Sequence, residues 1–522
     1  MKKKQVTKLS NEIFLYDRPI KKDYDFNMWF FFPGPESFAM SSLGYLWLFR
    51  AIDMLNGIDI ERVYSDTKTT RIMRDKINLI GMSFTFDTDF MAIFKFLEWN
   101  KYELKAKNRK ETDPIIFAGG PVISSNPEPY KEIFDFMIIG DGECVNLEAT
   151  KLCHELKDKP KSEILLELSK MEGVYVPSLN KSVSKITRKL TECIYTPIIS
   201  DNAFFPNTFI LEVERGCANR CGFCLASYLN LPIRFVDYEQ IIETIELGLK
   251  YTNKIALLGA QITAHPRFKD VCKYIEEKID NGQEIEMSVS SLRVDSFVPE
   301  IVNTLVKAGQ KNLTLAIEAG SERLRKVINK NLTEEQILNA VKISRENGLK
   351  GLKIYSMIGI PSETQEDIEE FIKLAKLLKQ ENKGFEITFS FSSFVPKPHT
   401  PLQWAQREDT KTLEKKQKYL EKEFAKIGIG SKFSSIKWDY WQALISRADE
   451  NFSEFLLNVY KEGGKNGAYK SALKDLKLKV LEPIEGFDYG KSLAWDNILL
   501  NINNQMLINE YNRLLRRGEL TK

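Results

Sequence analysis

Apolar residues follow two rhythms along this chain, short unbroken runs and helix-spaced stripes, and the two alternate. Runs at 28–32, 60–64, 77–84, 114–118 and 134–139 have the length of strands, and the first is apolar throughout. Such runs suit strands buried on both faces of a sheet. Between them, 41–55 and 89–101 read as helices. The first run stops at Pro33-Gly34-Pro35, the fourth at Gly119-Gly120-Pro121, and the fifth at Gly140-Asp141-Gly142-Glu143 with a helix beyond. Strands alternating with helices predict an α/β fold with a doubly wound, Rossmann-like parallel sheet. Ligands of such sheets bind beyond the carboxyl ends of the strands. The glycines fall at those ends, where backbone comes close to a neighbour.

Residues 160–205 read as a connector, with weak periodicity and prolines at 177, 197 and 206. A second series of strands is expected at 209–213, 254–258, 284–290, 312–317, 352–358 and 386–391, with helices between. Six such units predict a partial (β/α)6 barrel, whose site lies at the carboxyl ends of its strands. The remainder, with Lys- and Glu-rich stretches such as 410–425, is expected to be mainly helical. The expected division is therefore 1–195, 196–405 and 406–522, and the length alone predicts about three domains at roughly 150 residues each.

Composition removes some function classes. Lys and Arg number 75 against 72 Asp and Glu, so the net charge of +3 makes no electrostatic case for nucleic acid. The basic end, Arg513, Arg516, Arg517 and Lys522, reads as a solvated helix face. No apolar run reaches the ~18 residues of a membrane span, and the polar start Met1-Lys2-Lys3-Lys4-Gln5 has no signal-like core behind it. A cytoplasmic protein without a membrane span is expected. Seven cysteines, an odd number, argue against a disulfide framework.

Three of those cysteines lie within eight residues, in Glu214-Arg215-Gly216-Cys217-Ala218-Asn219-Arg220-Cys221-Gly222-Phe223-Cys224. The spacing is C-x3-C-x2-C, just after the first strand of the second series. Three thiolates on one loop can hold three irons of a cubane and leave the fourth iron open, as a reactive site requires. Structural zinc is the competing reading, but it needs four protein donors, and no fourth Cys or His lies nearby in sequence.

The loop, with an aromatic residue just before its third cysteine, resembles that of the radical S-adenosylmethionine (SAM) superfamily. The resemblance implies a [4Fe-4S] cluster on Cys217, Cys221 and Cys224. It also implies SAM bound to the open iron, and reductive cleavage of SAM to a 5'-deoxyadenosyl radical. Phe223 would pack near the adenine. Further SAM contacts are expected at Gly259 and Ala260, at Ser290 and Arg293, at Glu318, whose carboxylate can take the ribose hydroxyls, and at Ile358 and Gly359. Where the family carries Gly-Gly-Glu, this chain reads Gly259-Ala260-Gln261, so that acidic contact is missing. An electron donor such as flavodoxin or ferredoxin is implied as a partner.

The first domain resembles the cobalamin-binding domain that precedes many radical SAM enzymes, and the whole is most similar to uncharacterised B12-binding-domain radical SAM proteins. The likeness covers most of 28–405, including Phe394-Val395-Pro396-Lys397-Pro398-His399-Thr400-Pro401-Leu402-Gln403-Trp404, and is weak beyond, around Trp495-Asp496. It places cobalamin contacts at Ser83, Gly119, Gly120, Gly140, Gly142 and Glu143. The Asp-x-His-x-x-Gly signature of a histidine axial ligand is absent, because His154, His265 and His399 stand in other contexts. The function implied first is cobalamin-dependent C-methylation of an unknown substrate. A second reading is radical SAM chemistry of another type, such as rearrangement, ring formation or tRNA modification, with a vestigial first domain. Methylthiolation would need a second cluster, and Cys144, Cys153 and Cys193 are widely separated. A non-catalytic corrin- or metal-binding protein is the third reading, disfavoured by the open iron position.

Overall fold

The computed structural model describes residues 11–19, 24–476, 484–488 and 491–519, so Met1–Gln5 and Lys522 lie outside it. The first sheet has six strands in the order Ile58–Tyr64, Phe26–Phe32, Leu79–Ser83, Ile115–Gly119, Phe136–Ile138, Val174–Tyr175. All neighbours are parallel except the last pair. The unbroken apolar run has its cause here: Met28, Trp29, Phe30 and Phe31 alternate between two cores and all four are buried. Chain order reverses between Phe26–Phe32 and Leu79–Ser83, which makes the gap beyond their carboxyl ends the topological switch point.

The second sheet runs Thr208–Glu212, Lys254–Leu258, Glu286–Val289 in one parallel ladder. A single bridge from Leu292 to Leu315 leads to the next ladder, Asn312–Glu318, Gly351–Ile358, Glu386–Ser393, Gly430–Phe433, also parallel. The six expected strands are therefore joined by a seventh, from a stretch expected to be helical. Gly430–Phe433 is four residues long and follows the helix Thr410–Ile427, too short for an alternating pattern to show. The connector is also more ordered than its sequence suggests. Lys161–Leu168 is a helix, Val174–Tyr175 closes the first sheet, and Ile194–Tyr195 pairs antiparallel with Thr208–Glu212.

On the strands of the second sheet, Leu313, Leu315, Leu352, Ile354, Phe389 and Phe391 point to one large core shared with the helices between strands. The opposite positions make up the concave face. Helices after the barrel reach back: Trp441, Leu444, Phe455 and Tyr469 share one core with Trp29, Phe31, Phe84 and Phe94 of the first sheet. Among the described residues no helix is long and apolar enough to cross a membrane.

Candidate active site

The cysteine loop leaves the first barrel strand and is fixed from several sides. Gly216 has φ +95°, and a Cβ there would meet the Asn230 carbonyl oxygen at 2.6 Å, so this turn requires glycine. The Gly222 N–H donates to the Ile328 carbonyl at 2.9 Å, and the Gly222 carbonyl accepts from the Leu402 N–H at 3.1 Å. Asn329 Nδ2 donates to the carbonyls of Asn219 and Arg220, and the Tyr228 hydroxyl also donates to Arg220. Phe223 packs with Ala319, Met357, Ile360 and Phe394, residues beyond or at the ends of the fourth, fifth and sixth barrel strands. The loop is thus held in shape before any ligand arrives.

Cys217 and Cys221 are buried and Cys224 is partly so. Asn219 Nδ2 lies 3.5 Å from Cys217 Sγ as a donor, and Gln261 Oε1 lies 3.6 Å from the same sulfur. Burial pushes the Cys221 thiol up to about 12, with Lys330 pulling the other way. A bound metal would reverse that and hold the thiolate. Among the described residues no three His, Cys, Asp or Glu side chains gather round one point as donors to a single ion. A cubane takes one thiolate at each of three corners, and three thiols on a braced loop with a sulfur-directed N–H fit that donor set.

Sequence alone does not reveal Lys330. Its Nζ is 3.1 Å from Glu318 Oε1, and its carbonyl accepts from Arg293 NH2 at 2.9 Å. Burial opposes the Lys330 ammonium, yet Glu318 and Cys221 hold its pKa above the ordinary lysine value. Arg293, Glu318 and Cys221 are therefore brought together through one lysine. Arg293 also pairs with Asp295 at 2.9 Å. Ser290 is exposed at its strand end. Ile358 sits instead in the outer core, and Gly359 is buried against Leu413.

The turn Gly259-Ala260-Gln261 has an acidic neighbour after all. The buried carboxylate of Glu214 accepts the Gln261 and Ala260 N–H groups, and its Oε2 has no partner. Burial pushes this carboxyl up to about 7. A Cβ at residue 259 would meet Glu214 Cγ at 2.5 Å, so only glycine admits the carboxylate beneath the turn.

Arg215 ties the loop 140–143 of the first sheet to the start of the cysteine loop. Its guanidinium meets Asp141 at 3.0 Å, Glu143 at 2.6 Å and Glu212 at 2.6 Å, all largely buried. Arg234 also pairs with Asp141 through Oδ2, the oxygen that accepts the Arg188 N–H at 2.7 Å. Burial opposes ionisation of Asp141, but Arg215 and Arg234 hold its carboxyl below the usual range. The loop 140–143 thus meets the residue two before Cys217, and together they line a cavity of about 210 Å³ with Trp47 and Leu258.

One strand gap from the switch point of the first sheet, Ser83 and Gly119 lie in register at the carboxyl ends of their strands. Ser83, Gly119 and Gly120 are partly open, and Thr85, Phe86 and Pro121 are exposed, Phe86 by 63%. These strand ends leave backbone accessible, as a ligand beyond the carboxyl edge of such a sheet requires. Gly120 itself answers to the chain, since at φ +125° its Cβ would meet the Phe84 carbonyl oxygen at 2.5 Å. His154 pairs with Asp25 at 2.7 Å and His265 with the Val236 carbonyl at 2.8 Å, whereas His399 Nε2 is buried without a partner. His399 is buried against Ser125, and burial lowers its pKa to about 4.

Comparison with known proteins agrees with this geometry. The Radical SAM superfamily profile matches residues 211–375, and that of Radical SAM proteins, N-terminal, matches 44–177. The uncharacterized protein MJ0966 of Methanocaldococcus jannaschii is 34% identical over 426 residues, 79% of this chain and 88% of its own. The chain belongs to the radical SAM superfamily. It is also similar to the uncharacterized methyltransferase PH0819 of Pyrococcus horikoshii, 28% identical over 57% of this chain and 64% of that one. In fold it is similar to the cobalamin-dependent S-adenosylmethionine radical enzyme OxsB, solved with aqua-cobalamin and S-adenosylmethionine bound. The TM-score is 0.51 at 14% identity, over 95% of this chain and 80% of OxsB.

Proposed function

We propose that this radical SAM enzyme methylates an unactivated carbon of its substrate with the help of cobalamin. The observation that carries the reading is the ion-pair network through Arg215 that joins the braced cysteine loop to the loop 140–143 of the first sheet, whose strand-end residues Ser83, Gly119 and Gly120 are partly exposed. The fold shared with OxsB and the likeness to PH0819 support it. When bound, the cluster, SAM and corrin supply one-electron cleavage of SAM and a carrier for its methyl group.

The chain's own residues do the rest. Cys217, Cys221 and Cys224 hold the cluster, and Asn219 offers an N–H to the Cys217 sulfur. The Gly259–Gln261 turn, steadied by Glu214, offers its backbone to the SAM amino end. Ser290, Arg293 and Glu318 take the hydroxyl and carboxylate side, with Lys330 fixing Glu318. The backbone of Ser83, Gly119 and Gly120, partly exposed at the strand ends, would receive the corrin. A flavodoxin- or ferredoxin-like protein supplies the electron, and the enzyme works in the cytoplasm.

Anaerobic reconstitution tests this. The wild type should bind four irons, show a reduced EPR signal that SAM perturbs, and retain corrin absorbance. Cys221→Ala should lose the cluster and all SAM cleavage, and continued cleavage by that variant would sink the reading. Methylated product with S-adenosylhomocysteine supports methyl transfer. A cluster with SAM cleavage but no bound corrin would instead favour radical chemistry of another type.

A further inference from the structure

The concave face of the barrel is not filled in the usual way. Interiors of closed barrels are packed with Val, Ile and Leu. Here the inward positions include the hydroxyl residues Ser288, Thr314, Thr388, Ser390 and Ser392, all partly or fully exposed, alongside apolar Ile210, Ala256 and Leu258, the cation Lys254 and the carboxylates Glu212, Glu286, Glu318 and Glu386. Two further cations stand among them. Lys353 alternates with the outer-core residues Leu352 and Ile354, so it faces inward, as does Tyr355, which is 41% exposed. Lys353 Nζ lies 3.4 Å from the Tyr355 hydroxyl and 4.6 Å from its ring centre. Lys432 is in register with Ser390, which is in register with Tyr355, while its neighbour Phe433 stacks outward on Phe391.

Among the described residues neither lysine has a carboxylate within ion-pair reach, whereas Lys330 and Lys416 in the same barrel are both paired. At about 4.8 Å per strand, Tyr355 and Lys432 stand about 10 Å apart, and Lys353 lies about 7 Å along the strand from Tyr355. Two side chains of lysine length can converge on one anion across that span. Lys353 is the third residue of its strand, five positions before the carboxyl end where the SAM contacts are expected, so these cations are assigned to a second guest rather than the cluster's own ligand.

We propose that Lys353, Tyr355 and Lys432 bind a phosphate ester carried by the substrate. Two ammonium groups balance a phosphate dianion, and the hydroxyls of Tyr355 and Ser390 donate to its remaining oxygens. The inference deepens the radical SAM reading by naming the substrate's chemistry, and it rests on that reading.

The test is isothermal titration of the reconstituted protein with phenyl phosphate, benzoate and benzyl alcohol at low ionic strength. Phenyl phosphate should bind; benzoate should bind at least tenfold more weakly, and benzyl alcohol not at all. Lys353→Gln and Lys432→Gln should each weaken phenyl phosphate at least tenfold, and the double variant should abolish binding. Lys273→Gln, on an exposed helix face, controls for net charge. Undiminished binding in the double variant, or none in the wild type, overturns the proposal. Benzoate binding equal to phenyl phosphate overturns the phosphate assignment. Iron content and SAM-perturbed EPR, read on the same samples, report separately whether the radical SAM reading holds.

Discussion

Arg215→Ala should be among the most damaging single changes away from the cysteines. The side chain is 14% exposed and its three carboxylate partners, Asp141, Glu143 and Glu212, are between 6% and 13% exposed. Removing one partner of a buried ion pair costs about 3–5 kcal/mol, against about 0–1 for a surface pair. Asp141 keeps Arg234, so the loss belongs mainly to Glu143 and Glu212 and should fall near 3 rather than 5, about 3 kcal/mol. Arg215→Lys keeps the charge but not the three-way fork, so it should fall between. Urea unfolding of the cluster-free protein, followed by tryptophan fluorescence, measures the difference. pH supplies an internal check. The folded pKa of Asp141 lies below its ordinary value, so its stabilisation is present above about pH 4 and is lost as pH falls further. Arg234 keeps part of that term in the variant, so the gap between the wild-type and Arg215→Ala curves should narrow, rather than close, as pH falls below about 4. A loss under about 1 kcal/mol at neutral pH would show that the network is an ordinary surface cluster.

Two further outcomes follow from the same coordinates. Glu214 has a raised pKa, about 7, so the stability it contributes is present below the ordinary glutamate value and is lost as pH rises through 7. Glu214→Gln should match the wild type in acid and become the more stable above pH about 7 in thermal melts, and parallel melting at every pH would contradict the buried carboxyl. Gly140→Ala should cost at least ~2 kcal/mol whether or not any ligand is present. At φ +107° its Cβ would meet the Ile186 carbonyl oxygen at 2.2 Å. Normal denaturant stability of that variant would mean the glycine serves a guest rather than the fold.

What the chain discloses before folding divides along a physical line. The cysteine loop is legible because its three thiols are neighbours in sequence, and one strand end is enough to present them. The strand runs are legible because burial on both faces leaves no polar position to blur them, as at Met28–Phe31. Lys330 is not legible: it follows Cys221 by 109 positions and meets it only once the fourth strand has turned back past the loop. The carboxylate that takes two N–H groups of Gly259-Ala260-Gln261 likewise comes from 47 positions before Gln261, from Glu214. Nor do Ser288, Thr388 or Ser390 announce an open barrel, since in sequence they read as ordinary polar positions of half-buried strands. Lys432 belongs to a strand too short to predict, so its place opposite Ser390 exists only through register. The donors that would hold the cluster are therefore local. The residues that set its electrostatics, and those that would choose a substrate, are brought in by the sheet. The register of Gly351–Ile358, Glu386–Ser393 and Gly430–Phe433, not the cysteine motif, is what sets Lys353, Tyr355 and Lys432 side by side.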